Sequence, residues 1–102
     1  MADFDLIPER TALVNVDLQN YFVERAPEGR TILERVNRLA AECRKAGILV
    51  IHTSHVLRPD GSNIGVLGEL VPPLREKGFL NEGARTAALH DDLVVEPDDV
   101  LL

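Results

Sequence analysis

The chain has 102 residues, of which 45% are hydrophobic and 27% are charged, and its 11 Lys and Arg against 17 Asp and Glu give a formal net charge of −6. This composition is typical of one small globular domain and excludes a disordered chain, because disorder requires less apolar material and a more lopsided charge. Net acidity with scattered cations argues against nucleic acid as a partner, since phosphate binding needs a clustered basic face.

The longest apolar runs, such as residues 48–51, are far shorter than the roughly 20 residues of a membrane span, so no membrane partner is expected. Residues 1–5 contain no basic segment that leads into an apolar one, which predicts a cytoplasmic protein without a targeting signal. A single cysteine, Cys43, excludes an internal disulfide and any zinc site with two or more thiolates. A small organic molecule is therefore the expected partner.

A strand, a helix and a second strand are predicted in the first half of the chain. Residues 11–17 (TALVNVD) and residues 48–54 (ILVIHTS) are mainly apolar or β-branched, as in strands of a parallel sheet. An amphipathic helix is predicted between them from an apolar stripe at three- and four-residue spacing, made by Ile32, Leu33, Val36, Leu39, Ala40 and Cys43. A capping box of Thr31 and Glu34 marks the start of this helix, and Gly47 marks its end. This order predicts an α/β fold.

The second half of the chain carries weaker signals. Residues 55–65 read as a turn-rich loop, and residues 65–78 allow a short helix that Pro72 and Pro73 restrict. Residues 83–93 are expected to be irregular or briefly helical, and Val94, Val95 and residues 100–102 resemble sheet material. Two or three strands and one helix do not cover both faces of a parallel sheet, so we expect the chain to be part of a larger core.

Asp17 is the most informative single residue. A carboxylate that ends an apolar strand lies at the carboxyl edge of the sheet, where open α/β folds bind ligands, and it can serve there as a general base. The alternative is an Asp that caps the following turn. Residues 17–22 (DLQNYF), preceded by residues 10–14 (RTALV), resemble the opening motif of the isochorismatase-like cysteine hydrolases, the superfamily with nicotinamidases and N-carbamoylsarcosine amidohydrolase.

The resemblance extends over most of the chain and implies its fold. Residues 47–53 resemble the second strand of that superfamily, residues 55–62 the loop after it, and residues 93–102 the approach to its third strand. The implied fold is a three-layer α/β/α domain around a parallel sheet. Residues 1–102 would be the amino-terminal part of that single domain, and relatives commonly form homo-oligomers.

The family's catalytic set is Asp, Lys and Cys, in which the Asp takes a thiol proton and the thiolate attacks the substrate. Asp17 inherits the role of base, whereas the Lys and Cys are expected beyond Leu102. Cys43 lies on the apolar stripe, and Lys45 and Lys77 are expected to be solvated, so they do not complete the set.

Three further residues are candidates for substrate binding. The resemblance implies that Gln19 sets hydrogen bonds of the site and that Phe22 forms a wall of the substrate pocket, although each could also pack or cap. His55, at the end of the second strand, is the third candidate, and His52 is expected to be a hydrogen-bonded core residue. Tyr21 departs from the family's acidic residue.

Two groups of polar residues carry no assigned chemistry. Asn15 is a polar side chain within the first strand and must find a hydrogen-bond partner if it is buried. The acids of the carboxyl-terminal quarter are expected in turns and on the surface; they are Asp91, Asp92, Asp98 and Asp99.

The resemblance implies that a metal, where nicotinamidases hold one, binds through an Asp-x-His motif. None of the three histidines here has an Asp two residues before it, so no metal site or cofactor is expected. The predicted reaction is the metal-free, cysteine-dependent hydrolysis of a small amide, carbamoyl or ureido C–N bond, which this chain could not catalyse alone. An isochorismatase that cleaves a vinyl ether is the first alternative, and a nicotinamidase ranks third. A different class is also open: a non-catalytic fragment or binding module that folds with a partner chain, such as the remaining carboxy-terminal polypeptide.

Overall fold

The structure is a computed structural model, and it describes residues 5–102. Three parallel strands form a sheet at the centre of this part of the chain. The strands are β1 (Ala12–Asn15), β2 (Leu49–His52) and β3 (Val100–Leu101), in the order β1-β2-β3. The helices are α1 (Asn20–Arg25), α2 (Gly29–Ala46), α3 (Leu67–Leu70) and α4 (Pro72–Glu76), and short 3₁₀ turns cover Pro8–Arg10 and Arg85–Ala87. No helix within these residues is long and apolar enough to cross a bilayer.

The pairing register brings the carboxyl ends of the strands to one edge of the sheet. β1 pairs with β2 from Ala12 opposite Leu49 to Asn15 opposite His52, and Leu101 of β3 lies opposite His52. Parallel pairing of the first two predicted strands is therefore confirmed, although both strands are shorter than the apolar runs that predicted them.

Val94 and Val95, predicted as sheet material, lie outside the strands. The backbone N–H of Val94 donates to Asn37 Oδ1 at 2.8 Å, and its carbonyl accepts from Arg44 Nη2 at 3.2 Å. Because side chains of α2 take these backbone groups, Val94 cannot use them in a β-ladder. The strand prediction was wrong here, since apolar β-branched composition does not reveal which partners the backbone meets.

The long helix α2 is present but starts earlier than predicted. It begins at Gly29, and Thr31 and Glu34 are exposed residues within its first turns, so the predicted capping box was wrong. A side chain at position 29 would collide with the carbonyl of Val23, so glycine is what allows α2 to start directly against α1. The predicted end is confirmed: Gly47 has φ +85° and its N–H donates to the carbonyl of Arg44.

One face of the sheet packs against α2, whereas the opposite face is open within the described residues. Val50 and His52 point to the covered face and are 1% exposed. On the other face, Val14 is 48% exposed and Leu49 is 45% exposed. A parallel sheet is normally covered on both faces, so residues 5–102 supply two layers of the three-layer arrangement.

Two apolar clusters stabilise the helices and loops around the sheet. Val23, Leu33 and Leu93 join α1, α2 and the chain that leads to β3. A second cluster lies in the segment after β2 and is formed by Leu57, Ile64, Leu74 and Leu80. Pro72 begins α4 rather than restricting a helix, because the first helical position needs no N–H donor.

Asp99 follows a turn, as predicted, but its side chain is the centre of a buried polar network, so the prediction of a surface residue was wrong. The Asp99 side chain is 3% exposed. Its carboxylate accepts hydrogen bonds from Arg44 Nε at 3.0 Å, Arg44 Nη2 at 2.6 Å, His52 Nε2 at 2.8 Å and the Glu96 N–H at 3.0 Å. The Arg44 guanidinium, helped by the Glu96 N–H and His52, holds the pKa of the Asp99 carboxyl far below its usual range.

The same network explains the polar residue in β1. Asn15 is buried, and its Nδ2 lies 3.4 Å from His52 Nδ1. The other ring nitrogen, Nε2, lies 2.8 Å from Asp99 Oδ2, so both nitrogens of His52 have polar partners. His52 is thus the hydrogen-bonded core residue that the sequence predicted, and Asn15 has found its partner.

Replacement of Asp99 tests this network. We expect Asp99→Asn to lower the free energy of unfolding by about 3 kcal/mol at pH 7, because Arg44 would be left without its buried partner. Asp92→Asn is the matched control: its ion pair with Arg30 joins side chains that are 55% and 73% exposed, and we expect less than about 1 kcal/mol. Urea denaturation followed by circular dichroism measures both.

The pH dependence of this difference has a defined sign. The folded-state pKa of Asp99 is lowered, so its contribution is fully present above the unfolded pKa of about 3.9 and is lost as the pH falls below that value. The stability gap between wild type and Asp99→Asn should therefore narrow below about pH 4. If the two proteins differed in free energy of unfolding as much at pH 2.5 as at pH 7, the lowered pKa of Asp99 would be contradicted.

Candidate active site

Asp17 lies just beyond the end of β1 in an unusual backbone conformation. Its φ is +57°, and it is the one non-glycine residue with positive φ among residues 5–102. Asp and Asn are the side chains that best tolerate this left-handed region, where other L-residues are strained. Such conformations cluster at functional sites, and this one lies at the carboxyl edge of the sheet.

Thr53 holds Asp17 in this conformation from the neighbouring strand. The Asp17 N–H donates to the carbonyl of Thr53 at 3.2 Å and to its Oγ1 at 3.1 Å. The Thr53 hydroxyl in turn donates to Asp17 Oδ1 at 2.8 Å. The sequence indicated Thr53 only as part of a strand, because its contact with Asp17 depends on the register that pairs Asn15 with His52.

An open cleft of about 360 Å³ lies beside Asp17. Its walls are otherwise apolar or glycine and are formed by Val16, Leu18, Phe22, Val23, Ala26, Gly29 and Ile32. Asp17 is the one ionisable side chain in this lining. The predicted base and the predicted pocket wall, Phe22, therefore line the same cleft.

Phe22 is supported by an aromatic cluster that the sequence did not predict. Its ring meets the Tyr21 ring edge-on, with the centroids 5.2 Å apart, and Tyr21 also packs against Phe79 at 5.3 Å. The Arg25 guanidinium lies 3.9 Å from the centroid of Tyr21. Tyr21, which departs from the family's acidic residue, thus pairs with a cation through its ring.

Gln19 lies outside this cleft and is fully buried. Its Nε2 donates to the carbonyls of His55 at 3.0 Å and Ala87 at 2.6 Å, and its Oε1 accepts from the His55 N–H at 2.8 Å. Both N–H groups are used within the chain, so Gln19 ties the loop after β1 to the loop after β2 and to the 3₁₀ turn Arg85–Ala87. A contact of Gln19 with substrate stays a prediction.

The other candidate residues are dispersed. His55 is half-buried and is held through its backbone by Gln19, but it does not line the Asp17 cleft; its contact with substrate stays a prediction. Lys45 and Lys77 are exposed, as predicted, and Cys43 lies half-buried on α2. None of these three residues lines the cleft.

The described residues do not assemble a metal site. Within residues 5–102, no three His, Cys, Asp or Glu side chains are grouped as they would be around an ion. Both ring nitrogens of His52 already have partners in Asn15 and Asp99.

Comparison with known proteins identifies the family. The sequence profile of the isochorismatase domain matches residues 11–102, so the chain belongs to the isochorismatase family. No curated protein sequence matches the chain significantly.

Solved structures give the same result for the fold. A cysteine hydrolase from Pseudomonas syringae pv. phaseolicola 1448A is 28% identical with a TM-score of 0.79, and the match covers 96% of this chain and 47% of that one. An isochorismatase family protein from Desulfovibrio vulgaris subsp. vulgaris str. Hildenborough is 24% identical, with a TM-score of 0.73 and coverage of 90% and 50%. The pyrazinamidase of Pyrococcus horikoshii, solved in complex with zinc, is 21% identical with a TM-score of 0.65, and the match covers 89% of this chain and 49% of that one.

The predicted membership and the α/β class with a parallel sheet are therefore confirmed. The chain spans about half the length of the solved structures that it matches.

The left-handed conformation of Asp17 generates a stability prediction. Asn tolerates this conformation and keeps an Oδ1 for Thr53, whereas Ala does neither. We expect Asp17→Ala to be less stable than Asp17→Asn by about 1–2 kcal/mol, measured by urea denaturation of the two variants in parallel. Equal stability would show that neither the conformation nor the Thr53 bond matters for the fold.

Proposed function

We propose that this chain supplies the general base of a metal-free cysteine hydrolase that cleaves a C–N bond in small amide, carbamoyl or ureido compounds. The observation that carries the proposal is the Asp17 carboxylate, which lines an apolar cleft together with Phe22 at the carboxyl edge of the sheet. Membership of the isochorismatase family and the likeness to a cysteine hydrolase support it.

In the proposed reaction, Asp17 removes the proton from a cysteine thiol, and the thiolate attacks the carbonyl carbon of the substrate. The C–N bond then breaks, the departing nitrogen receives the proton from Asp17, and a thioester remains on the cysteine. Water, deprotonated by Asp17, hydrolyses this thioester and regenerates the thiol. A lysine near the sulfur would stabilise the thiolate.

The cysteine and lysine of this scheme are proposed to lie on polypeptide outside these 102 residues. Cys43, Lys45 and Lys77 do not line the Asp17 cleft. Among residues 5–102 nothing covers the apolar sheet face that carries Val14 and Leu49, and the matched structures are about twice as long as the region they share with this chain. We propose that a segment equivalent to their second half covers this face and completes the site, and that the chain alone is inactive.

The cleft also favours one substrate class. Within residues 5–102 its lining contains no Lys, Arg or His, so this half of the site offers no cation to an anionic substrate. This favours a small neutral amide over isochorismate, which carries carboxylates. Cytoplasmic location and self-association, implied by the sequence and the resemblance, belong to the same proposal.

The proposal is tested by Asp17→Asn in a protein that contains this chain and the complementary half of the domain. We expect kcat for a small neutral amide to fall by at least about 100-fold, because the thiol loses its base, while KM changes little. Release of ammonia or amine measures turnover.

Asp91→Asn makes the same chemical change at an exposed position and serves as the control; it should leave kcat unchanged. Full turnover by Asp17→Asn would refute the role of Asp17 as base.

A further inference from the structure

We infer that Thr53 is a positioning residue for catalysis: its hydroxyl holds Oδ1 of Asp17, which leaves Oδ2 as the oxygen that accepts the thiol proton. This inference rests on the proposed function of Asp17 as the base, and it assigns a task to each carboxylate oxygen.

The two residues form a closed ring of hydrogen bonds. The Asp17 N–H donates to Thr53 Oγ1 at 3.1 Å, and the same oxygen donates to Asp17 Oδ1 at 2.8 Å. A carboxylate oxygen can only accept, so the single hydroxyl proton of Thr53 points to Oδ1. A lone pair of Oγ1 accepts the bond from the Asp17 N–H. The ring therefore fixes the backbone and the side chain of Asp17 together.

The anchor of this ring is rigid. The Thr53 N–H donates to the carbonyl of Asn15 at 3.0 Å, and the Thr53 carbonyl accepts from the Asp17 N–H at 3.2 Å, so both backbone groups continue the ladder between β1 and β2. Thr53 is β-branched and half-buried, which restricts its own χ1 rotamers. Its hydroxyl is therefore held in place by the sheet.

Within residues 5–102, the hydrogen bonds of the Asp17 carboxylate involve Oδ1 and Thr53 alone. Oδ2 has no partner among these residues, and the side chain lines the cleft. A base must present a free lone pair in a fixed direction, since misplacement by about 1 Å can cost two orders of magnitude in rate. Thr53 supplies that fixed direction without contact to the substrate.

The test compares Thr53→Val with Thr53→Ser in a protein that contains this chain and the complementary half of the domain. Val keeps the shape and removes the hydroxyl, whereas Ser keeps the hydroxyl. We expect Thr53→Val to lower kcat by about 10–100-fold with KM within about twofold of wild type, and Thr53→Ser to stay within about threefold of wild type in kcat.

Thr86→Val is the matched control, because it removes a part-buried hydroxyl by the same substitution. The Thr86 hydroxyl donates to the carbonyl of Phe79, and Thr86 does not line the Asp17 cleft. It should lower thermal stability and leave kcat within about twofold of wild type. A loss of kcat in Thr86→Val equal to that in Thr53→Val would overturn the inference, because it would reflect stability alone. Wild-type kcat in Thr53→Val would overturn it as well.

A second readout separates this inference from the proposed function. Three-bond NMR couplings of the protein that contains both halves of the domain report the χ1 rotamer of Asp17, and we expect one rotamer in wild type and Thr53→Ser but averaging in Thr53→Val. If wild type hydrolyses no amide, the proposed function fails, and these couplings decide the positioning claim. A single Asp17 rotamer in Thr53→Val would refute it.

Discussion

Parallel pairing of β1 with β2 determines where the candidate site lies. Because both strands run in the same direction, their carboxyl ends meet at one edge, and residues 37 positions apart become neighbours there. Just past the last ladder pair, Asp17 leaves the strand with a left-handed backbone that Thr53 stabilises. The candidate site is therefore a direct extension of the sheet, which gives a flexible carboxylate a fixed direction.

The buried polar network around Asp99 lies on the covered face of the same sheet. Asn15, His52 and Asp99 connect the three strand regions, and Arg44 ties them to α2. Since β3 is only two residues long, its ladder offers few hydrogen bonds, and the charge-assisted bonds of Asp99 anchor the chain just before it. β3 is thus held in a fixed position relative to β2 and α2.

How far the sequence predicts this structure depends on the kind of signal. Helix α2 and strands β1 and β2 were predictable because hydrophobic periodicity and Gly47 report local structure directly. The start of α2 was not, since it depends on how Gly29 passes the carbonyl of Val23, a contact between two helices. Val94 failed as a strand residue for a similar reason: side chains of α2 bind its backbone groups.

The polar residues discussed above likewise differ in how far the sequence could predict their roles. Asp17 was predictable because a carboxylate that ends an apolar run stands out, and the resemblance pointed to Phe22 as a wall of the pocket. Thr53 and Asp99 were not predictable, because Thr within a β-branched run and Asp within an acidic turn are the ordinary occupants of such segments. Their roles arise from partners that are 36 and 55 residues distant, and spacing along the chain carries no signal for such contacts.

We propose that residues 5–102 hold half of a catalytic site, in which Asp17 is the base and a complementary segment carries the nucleophilic sulfur. Mixing the 102-residue chain with a separately produced second half of the domain tests this most directly, with amine release from a small neutral amide as the readout. We expect no turnover by either part alone and turnover that rises to a plateau at an equimolar ratio. Turnover by the 102-residue chain alone, at the rate of the mixture, would contradict it.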